Sequence, residues 1–315
     1  MKNLIGNTPL IKIKYEYKGI IRNMYAKLEY YNYTGSIKDR IAEYIIKESI
    51  EDGSLKEGMP IIEATSGNTG ISFSALGRLY NHDVHIFMPD WVSSERINIM
   101  KIYGAKVYLV SKEDGGFKEC IRRADELAKE LNGFRPNQFD NEKNVLAHYN
   151  TTGVEIIDKI KNINAFVNGI GTGGTLIGVG KRLKEFNNKI KIIAIEPDTL
   201  PILSKGIDGG SHKIEGIGDD FIPSLVDKKM IDKIIDINDE DAINMSRLLA
   251  KKFGLGVGIS SGANFLGCVL SEIDDTVTVF TDDLKKYLST DLSKNINENK
   301  NLISNSIKLI SLELV

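Results

Sequence analysis

Short runs rich in β-branched and aromatic residues alternate along the chain with longer segments whose apolar positions recur at helical spacing. This alternation predicts an α/β architecture with mostly parallel sheets. The short runs predict strands over 24–29, 59–63, 84–89, 106–110, 165–169, 190–195 and 276–281. The helical period covers 37–51, 69–80, 93–103, 117–131, 146–161, 174–186 and 239–253. No solenoid period and no Pro/Ser-rich linker separates the halves, so a domain boundary has to sit inside compact sequence, near 140–145. The end differs: residues 290–300 are rich in Asn and Lys, after which Leu302, Ile303, Ile307, Leu309, Ile310, Leu312 and Leu314 return. Their spacing suits a short amphipathic element docked on the body or on a second subunit, because left exposed it would invite aggregation.

Composition narrows the function classes. A length of 315 residues suggests two domains at roughly 150 residues each. With 41 Lys and Arg against 43 Asp and Glu the net charge is −2, which gives no field for a polyanionic partner, so nucleic acid is not expected. Cys120 and Cys268 lie far apart without a CxxC pair, which fits a reducing compartment. The first residues lack the apolar core of a signal peptide, and no run approaches the roughly 18 apolar residues of a membrane span. A cytoplasmic protein without a membrane partner is expected. His82 and His85 have neither a helical i,i+4 spacing nor nearby thiols, so they read as a polar turn and no metal site is expected.

Three glycine-containing segments follow predicted strands and open predicted helices, where backbone N–H groups and the helix dipole favour anions. In Asn168-Gly169-Ile170-Gly171-Thr172-Gly173-Gly174-Thr175, absent side chains let backbone close on a phosphate while two hydroxyls add hydrogen bonds. Read as Gly169-x-Gly171-x-x-Gly174, with Glu196 ending the next strand, the same residues also fit a dinucleotide fingerprint, so an NAD-dependent oxidoreductase is a rival. That fingerprint ordinarily sits in the first βαβ unit, however, and here it comes past the midpoint. The second segment, Thr65-Ser66-Gly67-Asn68-Thr69-Gly70, offers more hydrogen-bonding side chains than a turn needs and suits a carboxylate. The third, Thr34-Gly35-Ser36-Ile37-Lys38-Asp39-Arg40, puts cations at a helix start, where the dipole disfavours them. A lysine there invites a functional reading, since lysine forms Schiff bases with carbonyls once its amine is neutral.

Together with Gly258-Ile259-Ser260-Ser261-Gly262, these motifs stand in an order that resembles the cysteine synthase and cystathionine β-synthase family, collinear from about residue 5 to 290. The resemblance implies a fold type II pyridoxal-phosphate enzyme built of two three-layer α/β domains with mostly parallel sheets. A smaller domain over 36–145 would carry the substrate-carboxylate loop, and a larger one over 1–35 plus 146–290 the phosphate loop. Residues 291–315 would form a C-terminal extension. It implies a homodimer acting on small amino-acid substrates and on a thiol or sulfide. By position, Lys38 would hold pyridoxal 5'-phosphate as a Schiff base and act as acid and base. Asn68 would bond the ring hydroxyl, Gly171, Thr172, Gly173, Gly174 and Thr175 the phosphate, and Ser260 the ring nitrogen. Thr65, Ser66, Thr69 and Gln138, with Asn68 beside them, would form the substrate-carboxylate site. A neutral hydroxyl at the ring nitrogen favours loss of a β leaving group over transamination.

The implied reaction forms an aminoacrylate from cysteine, serine or O-acetylserine and then adds a thiol or sulfide. The family alternatives are an O-acetylserine-dependent cysteine synthase and a β-eliminating desulfhydrase or dehydratase. Residues Lys213-Ile214-Glu215-Gly216-Ile217-Gly218-Asp219-Asp220-Phe221-Ile222-Pro223 look more like cystathionine β-synthases, since cysteine synthases commonly carry Gln and small residues at the acidic positions. Carboxylates would repel sulfide, whereas Glu215 or Asp220, beside Gly216, could pair with the ammonium of an amino-acid thiol. The favoured reaction therefore takes cysteine, releases hydrogen sulfide and makes lanthionine or cystathionine. One segment departs from the family: Thr281-Asp282-Asp283-Leu284-Lys285-Lys286-Tyr287 stands where Pro-Asp-Ser-Gly-Glu-Arg-Tyr is usual.

Overall fold

The computed structural model describes residues 4–294 and 301–315, so part of the Asn- and Lys-rich stretch lies outside the described residues. In chain order the elements are β1 (Leu10–Tyr17), β2 (Ile20–Leu28), α1 (Lys38–Glu51), β3 (Ile61–Ala64), α2 (Asn68–Leu79), β4 (Val84–Pro89) and α3 (Ser94–Ile102). There follow β5 (Lys106–Val110), α4 (Gly116–Glu130), α5 (Glu142–Ala147), α6 (Gly153–Lys159), β6 (Ala165–Gly169), α7 (Gly174–Phe186) and β7 (Lys191–Pro197). The chain closes with α8 (Ile202–Lys205), β8 (Lys233–Ile237), α9 (Asp239–Phe253), α10 (Ile259–Ser271), β9 (Thr276–Phe280) and β10 (Lys308–Leu314).

A three-stranded parallel sheet has the order β3-β4-β5. Every residue of β3 and β4 is buried, as helices on both faces require. Ile45 of α1, Leu76 of α2 and Met100 of α3 pack with Ile86 on one face, and Cys120 and Ala124 of α4 pack with Phe87 on the other. A seven-stranded sheet has the order β10-β1-β2-β9-β6-β7-β8. Its strands are parallel except β1, which runs antiparallel to both neighbours. Leu176, Val179 and Leu183 of α7 cover one face of it, and Met245 of α9 with Phe265 of α10 the other.

Several elements depart from the expected pattern for identifiable reasons. β1 alternates polar and buried positions and turns into β2 through Lys18 and Gly19, both at positive φ (53° and 75°), a tight hairpin geometry. The expected helix over 146–161 is broken: α5 passes into a π-helical turn at His148–Thr152 before α6 resumes. The apolar tail forms β10, pairing Ile11 with Leu314 and Ile13 with Leu312, so it docks on the body as an edge strand. Strand β8 and helix α10 carry no clear period, α10 because nearly all of its residues are buried. α9 matches its expected bounds because Asn238 accepts from the N–H groups of Glu240 and Asp241 and Gly254 ends it at φ 68°. Among the described residues, no helix is long and apolar enough to cross a membrane.

Candidate active site

A cleft of about 750 Å³ opens between the two sheets, lined by Lys38, the 65–69 loop, Gln138, the start of the 171–174 loop and Asp219. Lys38 is the first residue of α1. The turn before it is fixed by Asp39, whose carboxylate accepts from the Thr34 N–H (2.7 Å) and hydroxyl (2.6 Å), and by Ile37 N–H donating to Thr281 O (3.0 Å). Burial pushes the Lys38 amine below the usual lysine range; Asp282 and Asp219 oppose that push and Lys286 adds to it. A neutral amine is the form that attacks a carbonyl.

Behind Lys38, β6 delivers the glycine loop to the N-terminus of α7, and a small hollow there touches Lys38, Gly173 and Thr175. A Cβ on Gly171 would lie 2.5 Å from Gly216 O, and Gly173 combines φ 86° with only 2.7 Å to Val226 Cγ2. Both glycines are needed because the loop packs tightly on Gly216 and Val226, and that packing leaves its backbone, at the N-terminus of α7, lining the hollow, where N–H and hydroxyl donors fit a phosphate. Asn144 donates to the Thr172 hydroxyl (2.9 Å) and His148 Nε2 meets the Thr175 hydroxyl at 3.2 Å. Burial, then the charges of Arg40 and Lys38, lower His148 to about 3, so the ring beside this cradle is neutral. Glu196, the acid a dinucleotide reading would assign to a ribose, is buried and accepts from Leu203 and Ser204 N–H (2.8 and 3.0 Å). It caps α8 instead.

The 65–69 loop enters α2. The Thr69 hydroxyl donates to Gln138 Oε1 (2.6 Å), and Gln138 donates in turn to Ala64 O (3.1 Å), so these two expected carboxylate ligands hold each other. Thr65 accepts from Gly67 N–H (3.0 Å), and Ser66 and Asn68 remain partly exposed to the cleft. Ser260 is buried on the first turn of α10, beside Ile259, which lines the cleft.

The acidic segment is placed differently from its expected role. Asp220 is exposed at the rim, 3.2 Å from the Lys118 amine. Glu215 is already ion-paired with Arg96, a side chain 2% exposed, so its charge is neutralised from within the protein and is not offered to an incoming ammonium. Asp219 is the carboxylate that turns inward. Gly216 and Gly218 stand at φ 92° and 75°, and Gly218 N–H is tied to Ile170 O (2.9 Å), which sets which of the adjacent aspartates points into the cleft. Burial and the charge of Asp220 push Asp219 up to about 6, with Lys38 acting against them.

Sequence reasoning missed Arg96, Asp219, Asp282, Lys286 and Tyr287. Arg96 packs so closely under Gly67 that a Cβ there would be 2.3 Å from its Cδ, and its guanidinium lies 4.5 Å from the Tyr287 ring centroid. A buried arginine on a short polar helix leaves no periodic signal. Asp282 and Tyr287 match the family pattern over 281–287, and Lys286 stands where it has Arg, but nothing local in the sequence ties them to the cleft.

Comparison with known proteins gives the family and the fold. The family model described as "Pyridoxal-phosphate dependent enzyme" matches residues 1–282. A cysteine synthase of Staphylococcus aureus is 40% identical over 296 residues, covering 92% of this chain and 95% of that protein. Cysteine synthase B of Campylobacter jejuni is 42% identical over 298 residues, covering 93% and 97%. The crystal structure of a hydrogen sulfide-producing enzyme from Fusobacterium nucleatum superposes with a TM-score of 0.96 at 46% identity, covering 100% of this chain and 97% of that one.

Proposed function

The chain belongs to the pyridoxal-phosphate-dependent enzyme family, and from that membership we propose that it catalyses β-replacement on cysteine, releasing hydrogen sulfide and adding a second amino-acid thiol to give lanthionine or cystathionine. The cofactor, when bound, supplies an electron sink at the α-carbon that makes loss of a β-substituent easy. Everything else is work for side chains. Lys38 would anchor the cofactor, and its amine, tethered at the start of α1, would be placed to take the substrate's α proton and to return it. The N–H groups from Gly171 to Thr175 hold the phosphate, Asn68 the ring hydroxyl and Ser260 the ring nitrogen. Thr65, Ser66, Thr69 and Gln138 orient the substrate carboxylate. Assembly as a cytoplasmic homodimer belongs to the same reading and is checked by particle mass in solution.

The observation that carries the choice of second substrate is Asp219, a half-buried carboxylate lining the cleft and close enough to Lys38 for each to shift the other's protonation. An anion there repels sulfide and attracts the ammonium of cysteine or homocysteine, so Asp219 takes the role first expected of Asp220 or Glu215. Rapid-mixing absorbance of the separate half-reactions tests this. Asp219→Asn is expected to slow addition of cysteine or homocysteine about tenfold or more while leaving loss of sulfide from the first cysteine nearly intact. Asp219 is ionised above about pH 6, so addition by the wild type should weaken as pH falls through that value, and the Asn variant should lack this dependence. Equal slowing of both half-reactions, or a preference for sulfide as nucleophile, would remove Asp219 from this role.

The phosphate assignment has its own test. Gly173→Val adds a branched side chain at φ 86° with its Cβ 2.7 Å from Val226 Cγ2, so the loop that lines the hollow has to shift. Cofactor retention through dialysis should fall at least about tenfold with the fold intact by circular dichroism; unchanged retention would mean that the loop is only a turn.

A further inference from the structure

Two residues of the 281–287 segment, Asp282, which matches the family pattern, and Lys286, which stands where that pattern has Arg, enclose the amide of Asn68. Asn68 Nδ2 donates to Asp282 Oδ2 at 2.7 Å, and its Oδ1 accepts from the Lys286 amine at 3.0 Å. Both partners are buried, Asp282 at 0% and Lys286 at 4% exposure. The Asp282 carboxylate sets which way the amide faces, since reversed, Oδ1 would meet the anion; on the other side the Lys286 amine donates to Oδ1, its protonation lowered by burial and supported by the charges of Asp282 and Asp39. Asp282 is itself held, accepting from the Tyr287 hydroxyl (2.9 Å to Oδ2) with Arg96 at 3.7 Å. Lys286 is held by donating to Gly35 O (3.1 Å), in the turn that carries Lys38. The Asp282–Lys286 pair therefore links the start of α2 to the start of α1.

An amide has two Nδ2 protons, and Asp282 occupies one of them. We propose that Asp282 and Lys286 are positioning residues that fix and polarise the Asn68 amide so that its second Nδ2 proton is presented to the cofactor ring hydroxyl. The ammonium on Oδ1 draws electron density from the amide and makes Nδ2 a stronger donor, a cooperative effect that grows away from water. A neutral, non-donating partner in place of Lys286 would remove this pull on Oδ1 and leave Asp282 alone to orient the amide, so the second Nδ2 proton would be a weaker and less firmly held donor. This inference rests on the assignment of Asn68 to the ring hydroxyl, and its test separates the two.

The experiment uses the holoenzyme and reads two properties besides turnover, the visible absorption maximum of the resting cofactor and its dissociation rate. Asn68→Ala should shift the maximum and speed dissociation. Lys286→Met, which keeps the stem but removes the charge, should shift the maximum in the same direction and speed dissociation about tenfold, the loss of one charge-assisted hydrogen bond. Lys286→Arg should restore both, a rescue that a general packing role would not give. Asp282→Asn should also shift the maximum, because a neutral amide in place of the carboxylate accepts from Nδ2 more weakly and polarises Asn68 less. The Asn68→Ala/Lys286→Met double variant should be no worse than Asn68→Ala alone, since both act through one amide. An unshifted maximum in Lys286→Met, or additive losses in the double variant, overturns the positioning role while a shift in Asn68→Ala keeps the Asn68 assignment. An unshifted Asn68→Ala overturns both.

Discussion

Lys38→Ala is expected to abolish the visible cofactor band and to lower turnover by about ten-thousand-fold, the upper end for loss of a general acid–base group, because one residue is both anchor and proton carrier. Absorbance of the purified variant and steady-state release of sulfide from cysteine measure the two losses. A small amine added from solution should recover part of the proton transfer but not the anchoring, since it lacks the tether that α1 provides. A variant with a normal spectrum and rate would remove Lys38 from both roles, whatever its burial and its lowered protonation.

The second large effect concerns stability and lies two residues further along α1. The Arg40 guanidinium bonds both oxygens of Glu29 (2.6 and 2.9 Å) and both of Glu155 (2.7 and 2.8 Å), while the buried Lys27 amine lies 2.5 Å from Glu155. This paired cluster joins α1 to β2 and α6 below the cleft. Arg40→Met leaves the fully buried Glu29 without its main partner and is expected to cost about 3–5 kcal/mol, the range for an uncompensated buried charge. A lowered urea midpoint is the measurement. Combining it with Glu29→Leu should recover part of the loss, because the two substitutions are not additive.

The cluster also predicts an acid limit. Burial alone would raise Glu29, but the charge and hydrogen bonds of Arg40 dominate and hold it at about 2, below its ordinary 4.5. The folded value is depressed, so this stabilisation is complete above 4.5 and is lost as pH falls from there through about 2. Arg40→Met should flatten that part of the stability profile.

What the sequence made legible follows from where its signals are local. Strands β4 and β6 and helices α7 and α9 are bounded by turn residues and caps within a few positions, so pattern alone finds them. β1 and β10 acquire their meaning from each other across the length of the chain, and a window along the sequence does not contain that pairing. Helix α10 hides its period because it is buried nearly all round. The same division holds in the candidate site. The glycine loop, the hydroxyl-rich loop and Lys38 each stand beside a helix start and are visible as motifs. The choice of Asp219 over Asp220 depends on the positive φ of Gly216 and Gly218, and the clamp on Asn68 on residues more than two hundred positions away. Those are facts of tertiary geometry, and their traces in the sequence were the acidic residues within 213–223 and the Lys286 that stands where the family pattern has Arg.

The most direct test of the function is the product balance of the holoenzyme supplied with cysteine alone. Sulfide, pyruvate, ammonia and thioether are quantified together over the initial linear phase. The account predicts lanthionine in amounts equal to the sulfide released, with almost no pyruvate or ammonia, and cystathionine replacing lanthionine when homocysteine is added. Sulfide accompanied by equal pyruvate and ammonia would make the protein a desulfhydrase, and no sulfide from cysteine alongside brisk cysteine formation from O-acetylserine would make it a cysteine synthase; either result contradicts the account.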